Sequence, residues 1–208
     1  QLSTASIPID VRNHLIENGF VHRRGRFFRE RDSIVQCVVF EHPLQIIYPT
    51  YCFIPLYMPC TTLYYTYGRR ISEVFRYRDA PTVDSGALID ALDSVVLPLF
   101  ERLKTPALLS QYLLNNLNSS VHYLFCPSID LAVLEAYTAL FLAERELFSR
   151  AVSKAFRLLD ETTVFTHDFT ERTQAELETL IARAKLPDDE LRCFFEEIIA
   201  ASRKIIIK

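Results

Sequence analysis

The chain has 208 residues, 50% hydrophobic and 24% charged, with a net charge of −3. That is enough for one sizeable core, or for a small sheet domain with a helical appendage, and the composition is that of an ordinary globular protein. No apolar run approaches the roughly 20 residues a membrane helix needs, so no membrane association is expected, and QLSTASIPIDV at the N-terminus lacks the charged-then-apolar order of a signal peptide.

The predicted elements begin with a helix over Ile7 to Asn18. Pro8 suits its first turn, Val11, Leu15 and Ile16 lie on one side, and Gly19 suits a left-handed C-terminal cap. Strands follow: Phe20 to Arg23, Arg26 to Arg31 and Ile34 to Phe40, with turns near Gly25 and at Glu30-Arg31-Asp32-Ser33. Ile34 to Phe40 is apolar on both faces except for Gln36, which predicts a central strand covered on both sides. Gln36 then needs a hydrogen-bond partner, since an unpaired buried amide costs about 1–3 kcal/mol.

Leu44 to Tyr57 is strand-like but interrupted by Pro49 and Pro55, the pattern of an edge strand, a bulge or two shorter strands. Thr61 to Tyr67 reads as a further strand, ended by Gly68, with Arg69-Arg70 in a turn and Ile71 to Tyr77 returning the chain. From Asp84 the period becomes helical. Asp84 or Ser85 caps a helix to about Leu103 that Pro98 should kink. Thr105-Pro106 starts another, to about Leu117. Ser128 to Asp160 is a broken helix or helical hairpin, and helices over Thr170 to Ala184 and Pro187 to Ile206 complete the chain. Strands first and helices afterwards predict an α+β fold. It has an N-terminal helix, an antiparallel sheet of four to five strands and an all-helical C-terminal half. The expected division is 1–117 for the sheet domain and 118–208 for the helical region.

Leu15 to Phe40, LIENGFVHRRGRFFRERDSIVQCVVF, resembles the opening of an uncharacterised bacterial family, the domain of unknown function catalogued as 4304. The shared features are a helix ending at Gly19-Phe20, a basic stretch, the aromatic-Arg strand Phe27-Phe28-Arg29 and an apolar strand containing Gln36. Ala87 to Leu113 looks similar too, so the resemblance spans roughly residues 7–117, and it departs at Glu41-His42-Pro43. It implies an α+β domain without settled activity, and a weak pointer to partner-binding or toxin-immunity roles.

The chemistry-bearing residues are few. Phe20 to Arg78 holds nine arginines against four acidic groups, a balance of +5, whereas residues 79–208 carry −7. The candidate interaction surface is Arg23, Arg24, Arg26, Arg29 and Arg31 together with Arg69 and Arg70, facing an acidic protein partner, because the guanidinium fork suits carboxylates and phosphates. A charged hairpin that blocks edge pairing would look the same. Alternation places Arg29 and Arg31 on one strand face with Phe27, and Arg26 on the other. Nucleic acid is disfavoured: the isoelectric point is near 6.0 and lysine is absent before Lys104.

No catalytic motif, cofactor cradle or metal-ligand set is expected. There is no nucleophile elbow, and four glycines cannot supply a glycine-rich phosphate loop. Convergence of His22, Cys37 and His42, or a pairing of Cys126 with His122, is conceivable from spacing only. Asp90, Asp93 and Glu101 read as a solvated stripe. A small-molecule or nucleotide site, or an enzyme, would need a pocket containing Gln36, Arg29, Tyr64 or Tyr65. Five cysteines, without a CxxC pair, fit a reducing cytoplasm. The missing initiator methionine points to a trimmed chain.

Overall fold

The structure, a computed structural model, describes residues 7–41, 48–60, 67–71, 84–116, 128–161 and 165–207. It is α+β: one N-terminal helix, a five-stranded antiparallel sheet, then helices. Helix α1 (Ile9–Glu17) buries Val11 and Leu15. It stops because Gly19 takes φ +82°, which lets the Gly19 N–H reach the Ile16 carbonyl and the Phe20 N–H reach the Leu15 carbonyl. That is the paired closure of a Schellman stop, with Phe20 and Leu15 meeting in the core.

Strands β1 (Val21–Arg23), β2 (Arg26–Arg31) and β3 (Ile34–Glu41) form two tight hairpins. Both turns have two residues at positive φ: Arg24 at 50° with Gly25 at 77°, and Asp32 at 41° with Ser33 at 64°. Such turns match the twist of the strands they join. β4 (Tyr48–Pro55) and β5 (Gly68–Arg70) complete the order β1-β2-β3-β4-β5. The sequence placed Arg69-Arg70 in a turn, whereas here they pair with Tyr51 and Thr50 as an edge strand. Gly68 permits this, because a Cβ there would run into the Tyr51 carbonyl and Cys52. Pro49 and Pro55 sit at the two ends of β4 rather than breaking it. The predicted strand over Thr61 to Tyr67 lies, apart from Tyr67, outside the described residues.

The next helix is continuous from Ser85 to Arg102, as α2 (Ser85–Ala91), a π turn (Leu92–Val96) and α3 (Leu97–Arg102). Asp84 caps it, its carboxylate accepting from the Ala87 N–H. Pro98 disturbs the helix as expected, but by widening it: the Leu97 N–H bonds back to the Leu92 carbonyl. The proline ring would otherwise press on the carbonyl of Ser94, and a π turn relieves that crowding. α1 and this long helix cover one sheet face, enclosing Phe27, Val38, Phe40, Tyr51, Leu92 and Phe100. Phe28, Val35, Cys37 and Val39 on the other face are buried as well, as the doubly apolar β3 sequence requires.

The chain divides into two compact units. The sheet unit takes the described residues of Gln1–Ile54 and Tyr64–Thr105; the helical unit takes those of Pro55–Leu63, Pro106–Val121 and Phe125–Lys208. The helical unit comprises α4 (Pro106–Asn116), α5 (Ser128–Phe141), α6 (Arg145–Glu161), α7 (His167–Arg183) and α8 (Asp188–Ile206). The division therefore falls at Thr105 and Pro106, ahead of residue 117, because α4 packs on α5. The short run after β4 also joins the helices. Tyr57 is fully buried there, stacked on Phe141 at 4.5 Å and bonded to the Thr138 hydroxyl at 3.0 Å.

Candidate functional site

The seven arginines singled out in the sequence do not form one surface. Arg26 and Arg31 are the ends of β2, five residues and about 17 Å apart at the rise of a strand. Arg23 and Arg26 face each other across the first hairpin, with Arg24 at its tip; Arg23 and Arg24 are exposed and Arg26 is half-buried. Arg31 is exposed at the opposite end, beside Gly19 and within electrostatic reach of Glu101. Arg70 returns to the Arg26 end of the sheet, since β4 enters there and Thr50 pairs with Arg70. It stands three strands from β2, about 14 Å away. Tyr51 belongs to the core under α1, so its partner Arg69 lies on that same face and Arg70 on the other.

Arg29 is not at the surface at all. Its side chain is 8% exposed, and each nitrogen has an acceptor. Nε donates to Gln36 Oε1 at 2.6 Å, Nη1 to the Asn18 carbonyl at 2.7 Å and Nη2 to Glu101 Oε1 at 3.2 Å. The guanidinium also lies 4.7 Å from the centre of the Phe20 ring. Burial pulls its pKa down from the ordinary value while Glu101 holds it up, and guanidinium stays charged in proteins. Gln36, whose partner the sequence left open, donates its amide to the Phe100 carbonyl at 2.6 Å. A hydrogen bond from Lys104, then the charges of Lys104, Arg29 and Arg31, hold the Glu101 carboxyl below its usual range against some burial. This cluster joins α1, β2, β3 and α3. It is an anchor for the fold, and the sequence placed Arg29 wrongly only in depth: alternation had the face right, but not what covered it.

The remaining sequence candidates separate. His22 sits opposite Phe27 and stacks on it at 4.5 Å, whereas Cys37 sits opposite Phe28, so the two point to opposite sheet faces and cannot share a metal. Burial, with the nearby Arg12 charge, lowers the His22 pKa from its ordinary value. Asp93 pairs with His14 at 2.7 Å, tying α1 to the π turn. His42, Tyr64, Tyr65, His122 and Cys126 lie outside the described residues. Among the described residues, His167, Asp168 and Glu171 form a grouping of metal-ligand type, fully exposed on the first turn of α7, where the pairing of His167 with Glu171 accounts for it. Also among the described residues, no helix is long and apolar enough to cross a membrane.

Comparison with family models, with curated proteins and with solved structures finds no match.

Proposed function

We propose that the protein is a non-catalytic bacterial interaction module that engages an acidic protein partner through the corner formed by Arg23, Arg24 and Arg26, with Arg70 and Arg69 along the same end of the sheet. The observation that supports this is Arg24. It occupies the first position of a turn that demands positive φ, where Asn or Gly is the ordinary residue. A left-handed conformation costs an arginine about 1 kcal/mol, and its exposed side chain contributes no described hydrogen bond in return. Arg24 thereby carries an exposed guanidinium at the hairpin tip, between Arg23 and Arg26, where it suits a partner's carboxylates.

A ligand reading centred on Arg29 and Gln36 finds no room, since their polar atoms are committed to one another, to backbone carbonyls and to Glu101. The resemblance of Leu15 to Phe40 points to the same class, an interaction module of the immunity type.

Affinity capture from the host of origin tests the reading, wild type against the double variant Arg24→Glu/Arg26→Glu. The expected result is loss of acidic partners that wild type releases as salt is raised. An unchanged partner set withdraws the surface.

A further inference from the structure

The helical unit contains a cleft of about 600 Å³ between α4, α5 and α6. That volume lies within the range of small-molecule sites, roughly 300–1,000 Å³. Its apolar wall comes from three helices: Leu113 and Leu114 from α4, Ala139 from α5, and Leu147 and Ala151 from α6. Leu114 is 44% exposed, an uncovered aliphatic side chain at the cleft.

Charge is concentrated along α6. Arg150, Lys154 and Arg157 all line the cleft, and Glu135 on α5 is the single carboxylate among the described lining residues. Lys154 Nζ reaches both Glu135 oxygens, at 3.1 and 3.3 Å. Burial raises the Glu135 pKa, against the opposing effect of Lys154 and then Arg150. Arg150 is exposed and has no hydrogen bond or ion pair among the described residues. Among the described residues, Arg157 has only the loose contact with Glu161, at 3.9 Å. At the other end of the cleft, Ser110 leans on Glu144 at 3.4 Å. Two cations therefore border an apolar cleft with little to neutralise them, beside a third that already holds a carboxylate.

We propose that this cleft binds a single-headed anionic amphiphile, its carboxylate or phosphate head at Arg150, Lys154 and Arg157 and its aliphatic body against Leu113, Leu114 and Leu147. Arginine suits a planar or tetrahedral oxyanion, and Lys154 retains a donor beyond those it gives to Glu135. The apolar wall supplies affinity for the chain and the cations select the head. The site is independent of the arginine corner in the sheet unit.

Calorimetric titration of the full chain with octanoate, octyl phosphate, 1-octanol, acetate and inorganic phosphate tests it. One molecule of octanoate or octyl phosphate should bind per chain, and the stronger of the two names the head group. The neutral alcohol and the two anions without an aliphatic chain should bind at least tenfold more weakly. Arg150→Glu/Arg157→Glu, both at exposed positions, should weaken the amphiphile at least tenfold. Ala151→Phe fills the cleft without altering a charge and should abolish binding while circular dichroism stays helical. Failure of both amphiphiles to saturate overturns the proposal. So does equal affinity for octanol, an unchanged affinity in the arginine variant, or full affinity in a folded Ala151→Phe protein.

Discussion

Each unit carries an ionic group largely shielded from water, and the two are built differently. In the sheet unit, Arg29 is saturated: three acceptors and an aromatic ring surround it, and Gln36 passes the hydrogen-bond chain on to a backbone carbonyl. In the helical unit, Glu135 is 14% exposed and held by Lys154 alone, at the wall of a cleft with two further guanidiniums. Burial of charge is thus not by itself a sign of function. A saturated charge fixes elements relative to one another. A part-buried pair bordered by exposed arginines and open apolar surface leaves room for a ligand of the kind proposed above.

Breaking the saturated cluster should have the largest effect. Arg29→Leu leaves Gln36 Oε1 and the Asn18 carbonyl without donors, and should lower stability by about 3–5 kcal/mol in chemical denaturation. A loss below about 1 kcal/mol would mean that Arg29 is not the anchor described. Next comes Asp130 on α5, whose carboxyl is pushed up to about 6 by burial and by the Glu176 carboxylate, with Arg172 opposing. Unfolded, it ionises near 3.9. The folded protein keeps the proton between these values, so stability falls as pH rises from about 4 to about 6 and levels off above. Asp130→Asn should remove that slope and raise stability at neutral pH by on the order of 2 kcal/mol, read from thermal unfolding across pH.

Two smaller changes sharpen the contrast. Glu101 is 52% exposed, so Glu101→Ala should cost less than about 1 kcal/mol although it touches the same guanidinium. A large loss would show that the ion pair, and not the buried neutral acceptors, secures Arg29. Arg24→Asn should stabilise the protein slightly, by about 0.5–1 kcal/mol, because Asn tolerates the left-handed turn. The same variant should weaken capture of the acidic partner. Stabilisation with undiminished capture would return Arg24 to the role of an ordinary turn residue.

Much of the fold was legible because it is local. Pro8 and Gly19 bounded α1, Asp84 and Thr105-Pro106 marked helix starts, and the run Ile34 to Phe40, apolar on both faces except for Gln36, announced a strand covered on both sides. Alternation even assigned Arg26 and Arg29 to opposite faces. Where the reading failed, a distant segment decided. Arg69-Arg70 became a strand because Thr50 and Tyr51 offered an unpaired edge and Gly68 allowed close approach. α4 joined the helical unit because its apolar side found α5.

The sequence by itself determined the α+β order, the neighbourhood of the two hairpin turns and the crowding of arginine into the first half, since these follow from propensity, period and composition. Tertiary structure alone decided which arginines face water. Asn18, Gln36 and Glu101 converge on Arg29 from up to 72 residues away, with Gln36 tied in turn to the Phe100 carbonyl, and no local pattern encodes that convergence. The cleft in the helical unit is of the same kind: the sequence marked α4, α5 and α6 only as helical stretches, and their packing leaves Arg150 and Arg157 beside an open apolar wall.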